Sequence, residues 1–206
     1  MQTVVIHNVV ATANFGCTVN LERVAWECFG EYNPKTFRAV KLRLLGAAKS
    51  TALVFASGKV VCTGSASESS ALTAINIYLR LLRKVHPEAR LLSAKVQNIV
   101  ASCALSRPVD LLAMSRTLLL RAAFDPELFP GLRLKLTSPE AKVLIFCGGK
   151  CVVAGCKTRQ DVARAWAAVR IMVDPFLRPE GTVGPSHSEM TAQRNAKRKC
   201  LAGRSD

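Results

Sequence analysis

The chain has 206 residues, with 29 Lys and Arg against 14 Asp and Glu and a net charge of +15 at neutral pH. That length suffices for one large or two small domains with a sizeable core, and the charge favours a polyanion partner, either nucleic acid or an anionic membrane surface. No apolar run reaches the roughly 18 residues of a spanning helix, and the eight cysteines show neither CxxC nor zinc-finger spacing.

The first stretch, residues 3–12, is rich in Val, Ile and Thr, carries no leading positive charge, and reads as a strand, not an export signal. Without such a signal a reducing compartment and free thiols are expected. Asn14-Phe15-Gly16 breaks the strand. Asn20 then precedes Leu21, Val24, Ala25, Cys28 and Phe29, the apolar stripe of a short helix. Asn33-Pro34 marks a turn, and Phe37–Leu45 reads as a strand with Phe37, Ala39, Lys41 and Arg43 on one face. Lys49–Gly64, KSTALVFASGKVVCTG, is a hairpin turning at Ser57-Gly58. Its strand is apolar on both faces, with Ala52, Val54 and Ala56 on one and Leu53, Phe55 and Ser57 on the other. Ser67–Val85 is a long helix that ends at His86-Pro87.

The same order then recurs. Leu91–Leu105 is a strand whose VQNIV matches the earlier IHNVV. Pro108 opens a helix expected over Val109–Arg121, with Leu111, Leu112, Leu118 and Leu119 as its stripe. The loop DPELFPG leads into a strand over Leu132–Thr137. A second hairpin, Lys142–Gly155, turns at Gly148-Gly149, and Thr158–Leu177 is a second long helix striped by Val162, Ala165, Trp166, Val169, Val173 and Phe176. Phe55 and Phe146 are 91 residues apart, as are Gly64 and Gly155, while Asn8 and Asn98 differ by 90 and Phe37 and Phe129 by 92. A period of that size is a duplicated half-domain, with repeats expected over 1–89 and 90–178. Residues 179–206 are polar and basic and read as a disordered tail. Its Lys197-Arg198-Lys199 reads equally as a nuclear localisation or phosphate-contacting element and as part of a solvated tail.

The expected fold is α+β: two pseudo-symmetric repeats forming one curved antiparallel sheet, with the long helices on one face only. The other face would carry Val10, Phe37, Leu53, Phe55, Val61, Val100, Phe129, Leu144, Phe146 and Val152, rimmed by Lys41, Arg43, Lys59, Lys135 and Lys150. A bare apolar face of that extent marks an interaction site. A ligand charged outside, flat and dry inside, and roughly two-fold symmetric fits the widened minor groove of duplex DNA. Trp26, Trp166, Tyr32 and Tyr78 read as packing residues. Lys157, Arg159, Arg164 and Arg170 read as a solvated helix face. Cys147, Cys151 and Cys156 read as small buried hydrophobes sooner than metal ligands. The histidines (His7, His86 and His187) are scattered, and neither a carboxylate pair nor a Gly-rich phosphate loop appears, so neither catalysis nor a cofactor is expected.

The motifs NVVATANFGC, EYNPKTFRAV, TALVFASGKVVCTG, VQNIVASC, DPELFPGL and VLIFCGGKCVVAG resemble the core of the TATA-box binding proteins and their related factors, over roughly residues 3–178. That family is itself the standard example of minor-groove wedging. The resemblance implies a saddle-shaped sheet whose underside binds and bends promoter DNA in the nucleus. It places the intercalating pairs on Phe37 with Phe55 and on Phe129 with Phe146, and the central amides on Asn8 and Asn98. It implies groove contacts from Val10, Leu53, Val61, Val100, Leu144 and Val152, with further DNA contacts from Gln97, Thr63, Ser57, Pro130, Arg43 and Lys135. Glu127 and Leu128 match the stirrup that receives transcription factor IIB among the general factors. Several positions depart from the family pattern. Ala154 replaces a Thr, so a relaxed TATA preference in one half-site is expected. Gly148 replaces a Ser, Lys135 an Arg and Arg38 a small residue. Leu72, Asn76 and Ile77 replace basic residues that normally receive transcription factor IIA, so weakened docking there is expected. A related factor with relaxed TATA specificity and RNA or single-strand binding are the competing readings, and pairing of two copies through the underside without DNA is left open.

Overall fold

The computed structural model describes residues 4–179. The tail from residue 180, with Lys197-Arg198-Lys199 and His187, lies outside the described residues.

The elements run β1 (Val5–Asn14), α1 (Leu21–Glu27), β2 (Glu31–Asn33), β3 (Phe37–Leu44), β4 (Ser50–Phe55), β5 (Lys59–Ser65), α2 (Glu68–Leu82), β6 (Ser93–Ala104), α3 (Leu111–Thr117), β7 (Ala122–Ala123), β8 (Gly131–Thr137), β9 (Glu140–Phe146), β10 (Lys150–Cys156) and α4 (Arg159–Val173). They form two compact units. One holds Ile6–Ala101 with Gly155–Gln160, and the other holds Ser102–Ala154 with Val4–Val5 and Asp161–Pro179. In the first the strands lie in the order β2-β3-β4-β5-β1-β6, and in the second β10-β9-β8-β7. The hairpin pairings within each are antiparallel.

The period-two alternation decides what each face does. In β4, Ser50, Ala52 and Val54 are buried while Thr51, Leu53 and Phe55 are only half-buried. Val54 is matched across the hairpin by Val60, and Ala52 by Cys62. This is the face that α2 covers, with Ala71, Ala74, Ile75, Tyr78, Leu79 and Leu82 as its buried stripe. The helix starts where Ser67 and Ser70 exchange side-chain-to-backbone bonds, each at 3.0 Å, so two otherwise orphaned N–H groups are satisfied.

Tyr78 is the largest wholly buried side chain, and its hydroxyl donates to the Ser50 carbonyl at 2.9 Å. Burial pushes its ionisation up, so the phenol stays a neutral donor. Tyr78→Phe removes that donor without opening a cavity. It is expected to cost about 1–2 kcal/mol of stability, read as a lower urea midpoint at constant slope.

The structure corrects several sequence expectations. Residues 1–89 and 90–178 hold five strands each, one more than the sequence shows in either repeat, because β2 and β7 are edge strands of three and two residues, too short to show alternation. The helix expected over Val109–Arg121 is only Leu111–Thr117, and it is capped by Asp110, whose carboxylate accepts from Ala113 N at 3.0 Å. Its buried residues are Leu111 and Met114, three apart on one face, whereas Leu112 and Leu119 face solvent. The chain leaves the helix early because Ala122 and Ala123 are recruited to pair with β8. In the first unit α1 stops at Glu27. Phe29 then takes a left-handed conformation with φ 53° and lies 97% exposed, not on the apolar stripe. Trp26 is not a packing residue either, being 84% exposed, whereas Trp166 and Tyr78 are buried as expected. The second long helix ends at Val173, and Pro175 turns the chain into a short 3-10 segment.

Candidate nucleic-acid interface

In the first unit the face opposite α2 is fixed by register. Leu53 lies against both Lys41 and Val61, Thr51 against Thr63, and Val61 against Thr12. Leu53, Phe55, Val61, Val10 and Val100 are half-buried there, while their strand neighbours Val54, Val60, Cys62, Val9, Ala11, Ile99 and Ala101 are buried on the other face. Phe37 at the start of β3 is 50% exposed, and its ring meets Phe55 edge to face at 6.0 Å and 70°. The second unit repeats the device, with Phe129 and Phe146 at 5.8 Å and 61°. Leu144 and Val152 stand opposite one another on the same sheet, both half-buried. All ten apolar residues expected on the bare side are therefore partly open to solvent.

Gly131 explains the second pair. A Cβ there would lie 2.7 Å from Phe129 Cε1 and 3.1 Å from Phe146 Cε1, closer than carbon atoms pack. Its cross-strand partner is Phe146. Arg133 stands over the Phe129 ring at 6.0 Å, a cation against an aromatic face. Pro130, between them, is half-buried.

The two asparagines are held alike. The β1–β5 register slips between Val9 and Ala11, and Gly64 sits in the bulge with φ +95°, a conformation that strains any side-chain-bearing residue. Its N–H donates to Asn8 Oδ1 at 2.8 Å, and Thr63 Oγ1 donates to the same oxygen at 3.2 Å. Gly155, with φ +101°, donates to Asn98 Oδ1 at 2.7 Å. An N–H can bond only the amide oxygen, so each Oδ1 is engaged and Nδ2 is the group left to donate. The residue before Gly155 is Ala154, so Asn98 has no counterpart of the Thr63 hydroxyl. Gln97 Nε2 donates to Thr12 Oγ1 at 2.7 Å, which places a further amide on the open side of β6.

The cationic rim is uneven. Lys41 is ion-paired with Glu31, and Arg43 Nη2 lies 3.4 Å from the same carboxylate. The hydrogen bond from Lys41 holds the Glu31 carboxyl below its ordinary range. Lys59, Lys135, Lys150 and the turn residue Ser57 are exposed. Arg133, Lys142 and Thr12 belong to this face and were missed from sequence, as was the role of Glu31. Period-two counting from Leu144 and Lys135 would have found Arg133 and Lys142. Elsewhere, Arg159, Arg164 and Arg170 are exposed along α4, as expected. Cys151 is buried and its thiol is pushed up to about 12 by desolvation, while burial takes Cys103 to about 11. Cys156 is also buried and Cys147 half-buried, and the described cysteines are free thiols.

Comparison with known proteins agrees with this geometry. The family model described as transcription factor TFIID, or TATA-binding protein, matches residues 3–85 and again 93–176. The chain is 38% identical over 172 residues to a TATA-box-binding protein of Acetabularia peniculus, covering 83% of this chain and 90% of that one. It is likewise 38% identical over 172 residues to the TATA-box-binding protein of Saccharomyces cerevisiae, covering 83% of this chain and 71% of that one. A TATA box-binding protein-like 2 of Rattus norvegicus is 39% identical over 172 residues, and there the match spans 83% of this chain but only 50% of the relative. The solved structure of Methanococcus jannaschii TBP superposes with a TM-score of 0.74 at 32% identity, covering 84% of this chain and 98% of that one. A duplicated α+β fold, paired aromatics on each bare sheet face and matches over both halves lead to one conclusion: the chain belongs to the TATA-binding protein family of transcription factors.

Proposed function

We propose that this chain is a transcription initiation factor that binds duplex promoter DNA in the minor groove and bends it by inserting Phe37 with Phe55 and Phe129 with Phe146. The observation that carries the reading is the edge-to-face aromatic pair on an uncovered sheet face, present once in each unit. Rings held at that angle cannot bury each other fully, and an inserted wedge kinks the duplex by unstacking one step. The Nδ2 donors of Asn8 and Asn98 suit the acceptors that A·T pairs present in the minor groove. Val10, Val61, Val100, Leu53, Leu144 and Val152 would press on the groove floor. Thr63, Gln97, Ser57 and Pro130 would flank it, and Arg43 and Lys135 would meet phosphates.

The bound factor would act in the nucleus as a platform for the initiation complex. Leu128 is 78% exposed beside the exposed Glu127, which suits a factor IIB-like partner at that loop. On α2, exposed Leu72 and Asn76 with half-buried Ile77 present no cation, which favours weakened factor IIA-like docking. Without DNA, the apolar face is suited to cover itself by pairing two copies.

A gel-shift titration with TATA and scrambled duplexes at several salt concentrations tests the reading. Affinity should fall steeply with salt, with a log–log slope of about −0.9 per phosphate contacted, and should favour TATA. Tighter capture of a single strand than of either duplex would overturn it.

One observation favours a second reading, a related factor with relaxed TATA specificity: Asn98 lacks the hydroxyl that steadies Asn8. Ala154→Thr should then sharpen discrimination by about 1 kcal/mol, several-fold in the TATA-to-scrambled ratio of the same titration. An unchanged ratio would remove Ala154 as the cause.

A further inference from the structure

The two units share an outer edge in equivalent register but differ in charge. In the first, Glu31 of edge strand β2 stands opposite Lys41 of β3, and its carboxylate pairs with Lys41 and Arg43. In the second, Ala123 of edge strand β7 stands opposite Arg133 of β8. The offset of 92 from Glu31 to Ala123 equals that from Lys41 to Arg133 and from Arg43 to Lys135. The second unit therefore keeps both cations and lacks the carboxylate.

It then adds to the imbalance. Lys135 stands directly opposite Lys142, where the first unit sets Arg43 against a neutral Thr51. Like charges facing one another across strands are destabilising unless an anion lies between them. Among the described residues no carboxylate lies within ion-pair distance of Arg133, Lys135 or Lys142. Beside them opens a cavity of about 400 Å³, lined also by Leu119, Leu120 and Leu144. Leu119 is 76% exposed and Leu120 fully exposed, and β7 is an end strand of its unit's order.

We propose that this pocket docks an acidic segment of a partner protein carrying an apolar anchor. Its carboxylates would engage Arg133, Lys135 and Lys142, and a leucine-sized side chain would cover Leu119 and Leu120. The occupant's chemistry is read from the first unit, where the same cation pair takes a carboxylate from within the chain. Duplex phosphates are the rival occupant, but they have no use for two exposed leucines, and burying an apolar side chain there supplies the hydrophobic part of the affinity. The pocket shares Lys135 and Leu144 with the surface proposed for DNA, so peptide and duplex would compete there, but the test needs no DNA and can fail without touching that reading.

The test uses the full chain and a short fluorescein-labelled peptide in which glutamates flank one leucine, followed by anisotropy at physiological salt. Saturable binding is expected, at least about tenfold tighter than for a peptide with glutamine at every glutamate. Ala123→Glu supplies the carboxylate internally and should weaken the peptide at least about tenfold, with thermal melting unchanged or raised. Ala123→Gln, of the same size but neutral, should retain binding. Equal affinity of wild type and Ala123→Glu, or of the two peptides, would overturn the proposal. Equal loss in both Ala123 variants would overturn it too, since bulk and not charge would then be responsible. If the peptide fails to bind while Ala123→Glu lowers duplex affinity, the cations serve DNA and the proposal is wrong.

Discussion

The double substitution Phe129→Ala with Phe146→Ala is expected to abolish DNA bending while the protein stays folded. The separation of the two effects follows from where the rings sit. Both are half-buried and face each other at 5.8 Å between centroids. An edge-to-face pair of this kind is worth about 0.5–1.5 kcal/mol beyond area burial, so losing it leaves the buried cores of β8 and β9 in place. Leu132, Leu134, Val143 and Ile145, which form that core, are untouched. Bending, by contrast, needs a rigid apolar wedge to offset the few kcal/mol of unstacking at each step, and alanine has nothing to insert. Energy transfer across an end-labelled duplex reads the bend, and thermal melting reads the fold. Wild-type bending in a well-folded double variant would refute the wedge assignment.

Gly131→Val should produce almost as large a loss of bending without removing either ring. A Cβ at this position lies 2.7 Å from Phe129 and 3.1 Å from Phe146, and the branched side chain reaches further. The rings are half-exposed, so they can swing aside and spare the sheet; the cost in stability is then about 1–3 kcal/mol, in the usual range for overpacking. A displaced pair no longer presents an aligned wedge, and energy-transfer bending should fall towards that of the double alanine variant. The first unit supplies the contrast. There Ala39 occupies the position opposite Phe55 and the Phe37–Phe55 pair still holds at 6.0 Å, whereas the second pair has closed on the space that Gly131 leaves. Retained bending by Gly131→Val would mean that the ring geometry does not matter to the kink.

Much of this was legible in the sequence because it depends on short periods. The duplication, the hairpins turning at Ser57-Gly58 and Gly148-Gly149, the cap at Asn20 and the stripes of the long helices follow from local spacing. Phe37, Phe55 and Phe146 were placed because alternation in a strand assigns faces without knowing what lies across them, and Phe129, in a loop, by its offset of 92 from Phe37. Trp26 and Leu119 were misassigned for the complementary reason. Apolar character is a preference for burial, and whether a neighbour is present to bury it is settled by distant parts of the chain.

The amino-acid order by itself determined the two-fold repetition, the apolar and cationic character of one sheet face, and which aromatic and amide residues repeat at equivalent places. Only the tertiary structure decided that the glycine N–H groups engage the Asn8 and Asn98 amide oxygens, that Gly131 makes room for one ring pair, and that Glu31 neutralises one edge while Ala123 leaves the other charged. These depend on distances of a few ångströms between residues far apart in the chain, fixed by strand register, and no local pattern of residues encodes them.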